Sequence, residues 1–158
     1  MPQVHRVGNQ KLPDLDNPPV ISITYDGPYL ISSRIQYDTR GSFQKLFSFN
    51  LVQTLLNESK YKLDPIIDVN ESFTKKAGVI RGLHMQMEPA AETKIVRCVT
   101  GRIWDVAVDM RPFSDTYLQH FSFYLDGHGY KERIDSVIIP RGFAHGFQTL
   151  TEDCLVQY

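Results

Sequence analysis

Cysteine is nearly missing from this chain: Cys98 and Cys154 are the two among 158 residues. They lack the short spacing of a zinc site and are too few to staple a secreted fold, so both read as reduced, small apolar residues. Long hydrophobic runs are missing as well. No stretch approaches the roughly 20 apolar residues of a membrane span, and the opening Met-Pro-Gln-Val-His-Arg has no signal-type apolar core. The expectation is a soluble, cytoplasmic protein. Nor does charge of either sign dominate. Seventeen basic against eighteen acidic side chains leave a formal charge of −1, which removes the global electrostatic case for a nucleic acid or a membrane as partner. The sequence also has no glycine-rich phosphate loop, no G-x-S-x-G elbow and no Cys/His nucleophile arrangement.

What is present is β-rich text. With 42% hydrophobic residues the chain can bury one core, so residues 1–158 read as a single domain. Residues 1–19, with Pro18-Pro19, read as an extended arm of the kind that crosses onto a partner subunit. Short β-rich runs follow from Val20, split by Asp26-Gly27-Pro28 and by Asp38-Thr-Arg-Gly41. Residues 49–60 give the one convincing helix, with Leu51 and Leu55 on one stripe and Asn50 as N-cap. Ile66–Asn70 reads as a strand and Glu71–Lys76 as a polar excursion. Strands are then expected at Val79–Gln86, Lys94–Val99, Gly101–Asp109, Leu118–Leu125, Ser136–Ile139 and Phe147–Leu150. Evenly spaced short strands with turn chemistry imply an all-β antiparallel fold, and a double-stranded β-helix or jelly roll suits inward-facing polar residues.

The chemistry concentrates on Gly78-Val-Ile-Arg-Gly-Leu-His-Met-Gln86. In a regular strand Ile80, Gly82, His84 and Gln86 share one face and Val79, Arg81, Leu83 and Met85 the other. Gly82 then leaves room beside His84 for a ligand to approach the backbone. A lone strand histidine reads first as a hydrogen-bonded core residue. His145, in Pro-Arg-Gly-Phe-Ala-His-Gly-Phe147, reads equally as structural or functional. Asp105 and Asp109 fall on one face of an apolar strand, where a buried carboxylate needs a partner; an imidazole would serve and would have its tautomer fixed. Lys94, Arg81 and Arg40 each read alone as surface cations. A metal is not expected, because Gln86 stands where a second histidine ligand would be and no carboxylate follows at ligand spacing.

Three stretches together carry a family resemblance. Gly78–Gln86, Lys94–Arg111 and Pro140–Leu150 resemble, in order, the dTDP-4-dehydrorhamnose 3,5-epimerases, a cupin-fold group of sugar-nucleotide enzymes, and the likeness runs from about Asp38 to Tyr158. The resemblance implies epimerisation at C3 and C5 of a dTDP-linked 4-keto-6-deoxy sugar in dTDP-L-rhamnose biosynthesis, by a homodimer without cofactor or metal. Inverting a carbon next to a ketone needs a base, a stabiliser for the enolate oxygen and an acid on the opposite ring face. By resemblance His84 is the base, Tyr158 the acid and Lys94 the residue beside the enolate. His145 with Asp105 resembles a second polar pair near the sugar. Arg40, Asn70 and Arg81 match positions that hold the nucleotide diphosphate or sugar, a role suited to the forked donors of arginine.

The chain departs from the family pattern in three places. Asp68-Val-Asn70 stands where Gln-x-Asn is common, and Lys45 where many members carry a glutamate. In the family a segment follows the position of Tyr158 and brings an aspartate to the catalytic histidine; nothing in residues 1–158 aligns with it, so either that segment is lacking, which implies weakened base catalysis, or another carboxylate stands in. Two alternatives follow from the same residues: an enzyme acting at one carbon or on another nucleotide-linked keto sugar, and a non-catalytic sugar-nucleotide-binding relative.

Overall fold

The structure, a computed structural model, describes residues 20–22, 27–31, 35–50, 53, 65–130 and 134–158. Its strands are β1 (Val20–Ser22), β2 (Tyr29–Ile31), β3 (Ile35–Asp38), β4 (Gly41–Gln44), β5 (Glu71–Thr74) and β6 (Ile80–His84) in the first half of the chain. β7 (Lys94–Thr100), β8 (Arg102–Asp109), β9 (His120–Asp126), β10 (Ser136–Ile139), β11 (Phe143–Thr149) and β12 (Cys154–Gln157) complete them. One sheet runs β1-β2-β10-β7-β12-β5 and a second runs β6-β11-β8-β9, with β3–β4 as a separate hairpin. Every pairing among them is antiparallel. This is the expected jelly roll.

Alternation explains why the two sheets stack. On β8, Ile103, Asp105, Ala107 and Asp109 are buried while Trp104, Val106 and Val108 are only partly covered. The inward residues of both sheets meet in one cluster. Leu30, Val96, Cys98, Val137, Ile139, Cys154 and Val156 come from the six-stranded sheet, and Ile103, Ala107, Phe123, Leu125, Phe143 and Phe147 from the four-stranded one. Each fully buried large aliphatic side chain here contributes about 1.5–3 kcal/mol relative to exposure. A smaller cluster of Tyr29, Ile31 and Ile138, joined by Phe47 and Ile95, covers the outer face of the six-stranded sheet.

Several expectations need correction. Residues 66–70 form no strand; pairing begins at Glu71, and the segment read as a polar excursion is β5. The signal was hidden because β5 buries Ser72 and Thr74 and exposes Phe73, an inverted alternation. β9 starts at His120, since Leu118 adopts a left-handed φ of 61° and belongs to the preceding turn. β11 starts at Phe143 and thereby includes His145. Of the helix expected over 49–60, residues 49, 50 and 53 are helical and the others lie outside the described residues, as does the N-terminal arm.

Candidate functional site

The strand that carries His84 is not regular. β6 pairs with β11 so that His84 faces His145 and Arg81 faces Phe147, three residues against two. The extra residue is a bulge at Gly82-Leu83, and it reverses the facing of everything before it. Arg81, expected on the face opposite His84, therefore shares the face of His84; it stays exposed, and its Nε donates to Thr74 Oγ1 at 3.1 Å, with Thr74 buried on the other sheet. Ile80 and Leu83 are left exposed.

Gly82 also has a different task from the one expected. Its φ is +120°, and a Cβ there would meet Gly146 Cα at 2.6 Å and the His145 carbonyl oxygen at 2.8 Å. The space beside Gly82 is thus filled by the backbone of β11, not left for a ligand. Two glycines face each other across the strand pair so that the bulge can close and set His84 against His145.

The imidazoles of His84 and His145 meet edge to face with ring centroids 5.8 Å apart. Behind His145, Asp105 Oδ2 lies 2.8 Å from Nε2. This carboxylate–imidazole pair is the partnership expected for Asp105. It fixes the Nε2–H tautomer, donating to the carboxylate and leaving Nδ1 without a hydrogen bond among the described residues. Burial pushes the Asp105 carboxyl upward, and the hydrogen bond from His145 opposes that. The second inward carboxylate, Asp109, serves structure. It accepts from Arg111 Nε at 2.8 Å, and from Arg111 Nη2, Ser114 Oγ and Thr116 Oγ1 at 2.6 Å each, which ties down the turn after β8.

Partial burial and then the Lys94 ammonium hold the His84 imidazole below its ordinary range, with His145 adding in the same direction and Glu92 opposing. His84 is therefore neutral at pH 7, the form in which an imidazole nitrogen can take a proton. Lys94 opens β7 with its side chain only 13% exposed, 3.4 Å from Glu92 Oε1.

Lys94 also lines a cavity of about 480 Å³ together with Asp68, Asn70 and Tyr158. Tyr158 and Asn70 are locked together by paired backbone hydrogen bonds of 2.7 and 3.0 Å. The cavity does not reach His84, His145 or Asp105; Lys94 is common to both groups. Three other expected binding residues, Arg40, Lys45 and Arg81, stand outside the cavity wall. Arg40 pairs with Asp38 at the tip of its own hairpin, Lys45 is exposed after β4, and neither lines the cavity. Sequence reasoning missed Phe47, Arg97 and Arg141, which do line it. Their spacing in the chain carries no sign that they meet. Among the described residues no group of three or more His, Cys, Asp or Glu side chains could hold a metal ion, and no helix is long and apolar enough to cross a membrane.

Comparison with known proteins points one way. A family model described as dTDP-4-dehydrorhamnose 3,5-epimerase matches residues 22–158. A curated dTDP-4-dehydrorhamnose 3,5-epimerase of Methanothermobacter thermautotrophicus is 38% identical over 138 residues, 87% of this chain and 69% of that protein. One of Sinorhizobium fredii is 38% identical over 134 residues, 82% of this chain and 62% of its own length. This chain thus spans under two thirds of the second relative and just over two thirds of the first. Among solved structures, dTDP-6-deoxy-D-glucose-3,5-epimerase of Legionella pneumophila in complex with dTDP-4-keto-L-rhamnose superposes with a TM-score of 0.77 at 33% identity. That match covers 89% of this chain and 70% of that one.

Proposed function

The chain belongs to the dTDP-4-dehydrorhamnose 3,5-epimerase family, and we propose that it epimerises a dTDP-linked 4-keto-6-deoxy sugar at C3 and C5, yielding dTDP-4-dehydro-L-rhamnose. The observation that carries the reading is the convergence of two imidazoles, His84 and His145, with the Lys94 ammonium at one site. A neutral imidazole beside a fixed positive charge suits abstraction of a proton α to a ketone.

In the proposed reaction a nitrogen of His84 takes the C–H proton, the bonding electrons move into an enolate, and the negative charge develops on the C4 oxygen. Lys94 stabilises that charge, which is worth most in a site that excludes water. The Tyr158 hydroxyl then returns a proton to carbon from the other ring face. The same exchange at the second carbon completes the double inversion. His145, held by Asp105, keeps a fixed dipole next to His84 and contacts the sugar. Asp68 and Asn70 bind the sugar and nucleotide around the cavity, with Arg81, Arg40 and Lys45 supplying further polar contacts.

The active form is taken to be a cytoplasmic homodimer. The exposed hairpin, with Tyr37 70% and Phe43 67% accessible, supports an apolar contact between subunits. The function is tested by incubating the protein with dTDP-4-keto-6-deoxyglucose in deuterium oxide and following the C3 and C5 hydrogens by NMR. Incorporation at both carbons is expected. Incorporation at one carbon would assign a single-carbon epimerase, and none would contradict catalysis.

A further inference from the structure

Glu92 has no role in the chemistry described so far, yet it stands between its components. Its Oε1 accepts from Gln86 Nε2 at 3.1 Å and lies 3.4 Å from Lys94 Nζ. Gln86 is two residues past His84 and Lys94 opens the next strand, so one carboxylate oxygen bridges the exit of β6 to the entry of β7. The loop between them is tightened by a turn in which Ala90 N donates to the Met87 carbonyl at 2.9 Å.

We propose that Glu92 is a positioning residue that holds the Lys94 ammonium beside His84, with Gln86 as the brace that holds Glu92. A lysine stem has four rotatable bonds and leaves its charge where entropy favours unless something fixes it. Glu92 supplies that fixation from the loop before β7. It also supplies a negative charge next to a positive one, which limits how far Lys94 depresses the imidazole.

Among the described residues the charged and titratable groups around His84 are few. Lys94 comes from β7, Glu92 from the loop before it, and His145 from β11 with Asp105 of β8 behind it. Arg81 lies three residues back on the same strand, where Thr74 and the Phe73 carbonyl hold its guanidinium. Of these, only Glu92 is an acid that raises the His84 proton affinity. The inference rests on the roles given above to His84 and Lys94.

The test uses three variants of the full chain and two readouts. In Glu92→Gln an amide oxygen still faces Lys94 and Gln86, so geometry is kept and one negative charge is lost. The His84 imidazole, titrated by NMR in folded protein, should then show a midpoint below that of the wild type. Glu92→Asp should restore it toward the wild-type value. In Glu92→Ala the ammonium is released, and kcat for deuterium incorporation should fall with KM nearly unchanged, since Lys94 acts on charge that develops in the transition state. A His84 midpoint that is unmoved or raised in folded Glu92→Gln, or an unchanged kcat in Glu92→Ala, would overturn the inference. A wild type that incorporates no deuterium would refute the proposed function instead, and the NMR titration, which needs no turnover, would still decide the role of Glu92.

Discussion

Asp105 Oδ2 lies 2.8 Å from His145 Nε2 across neighbouring strands, with Asp105 0% and His145 2% exposed. The strand register makes the pair diagonal: His145 is opposite Ala107, and Asp105 is opposite Phe147. The imidazole satisfies one oxygen of this carboxylate in the sandwich interior, while Oδ1 has no hydrogen-bond partner among the described residues. Asp105→Ala should destabilise the fold by about 1–3 kcal/mol through the orphaned N–H, whereas Asp105→Asn, which keeps an acceptor oxygen, should cost clearly less. Urea denaturation of both variants at neutral pH checks the ordering; equal losses would mean that the hydrogen bond is not what holds the pair.

The glycine pair at the bulge makes a second point of failure. Gly82→Ala forces a Cβ against Gly146 Cα in a backbone region that L residues rarely adopt. A loss of about 1–3 kcal/mol is expected from overpacking alone, together with displacement of His84 from His145. Thermal unfolding combined with His84 chemical shifts tests both parts, and an Ala variant with wild-type stability and shifts would show that β11 can yield there.

The architecture was legible in the sequence because it rests on period-2 alternation, and the need of Asp105 for a partner because burying a lone charge is costly; that the partner is His145 came from the family resemblance alone. Asp105 announced itself as a carboxylate in an apolar strand. The facing of Arg81 was not legible, since one inserted residue at Gly82-Leu83 reverses the pattern and a glycine in a strand has more than one explanation. β5 was missed for a related reason: its buried positions are Ser72 and Thr74, so polarity pointed the wrong way. The cavity wall was out of reach altogether, because Phe47, Arg97 and Arg141 meet only through tertiary packing.

Both thiols are fully buried, and for Cys98 burial, with Cys154 adding, pushes the pKa up to about 12 from 9.0. Below pH 9 the thiol is neutral folded or unfolded. Between pH 9.0 and about 12 the unfolded chain releases the proton first, so stability falls as pH rises through that window. The slope from this one group is at most about 1.4 kcal/mol per pH unit. Denaturation at pH 8 and pH 10.5 should show a larger alkaline loss for wild type than for Cys98→Ala, and native protein at pH 8 should resist iodoacetamide. Rapid native alkylation would contradict the burial.

The depressed His84 pKa sets the acid limb of the reaction. Deuterium incorporation should be flat above about pH 6.5, the ordinary histidine value, and should decline only below it as the imidazole protonates. Removing the ammonium in Lys94→Met should lower the plateau rate and move the limb upward, because the group that disfavours imidazolium is gone. A limb that stays in place would separate Lys94 from His84.

The division of labour between His84 and Tyr158 is the centre of the account, and stereochemistry resolved by solvent exchange tests it most directly. Proton removal needs only the base, while inversion needs delivery from the opposite face. His84→Asn should abolish deuterium incorporation at both C3 and C5. Tyr158→Phe should still permit incorporation and should fail to give the inverted product. Equal loss of exchange in both folded variants, or full inversion by Tyr158→Phe, would contradict it.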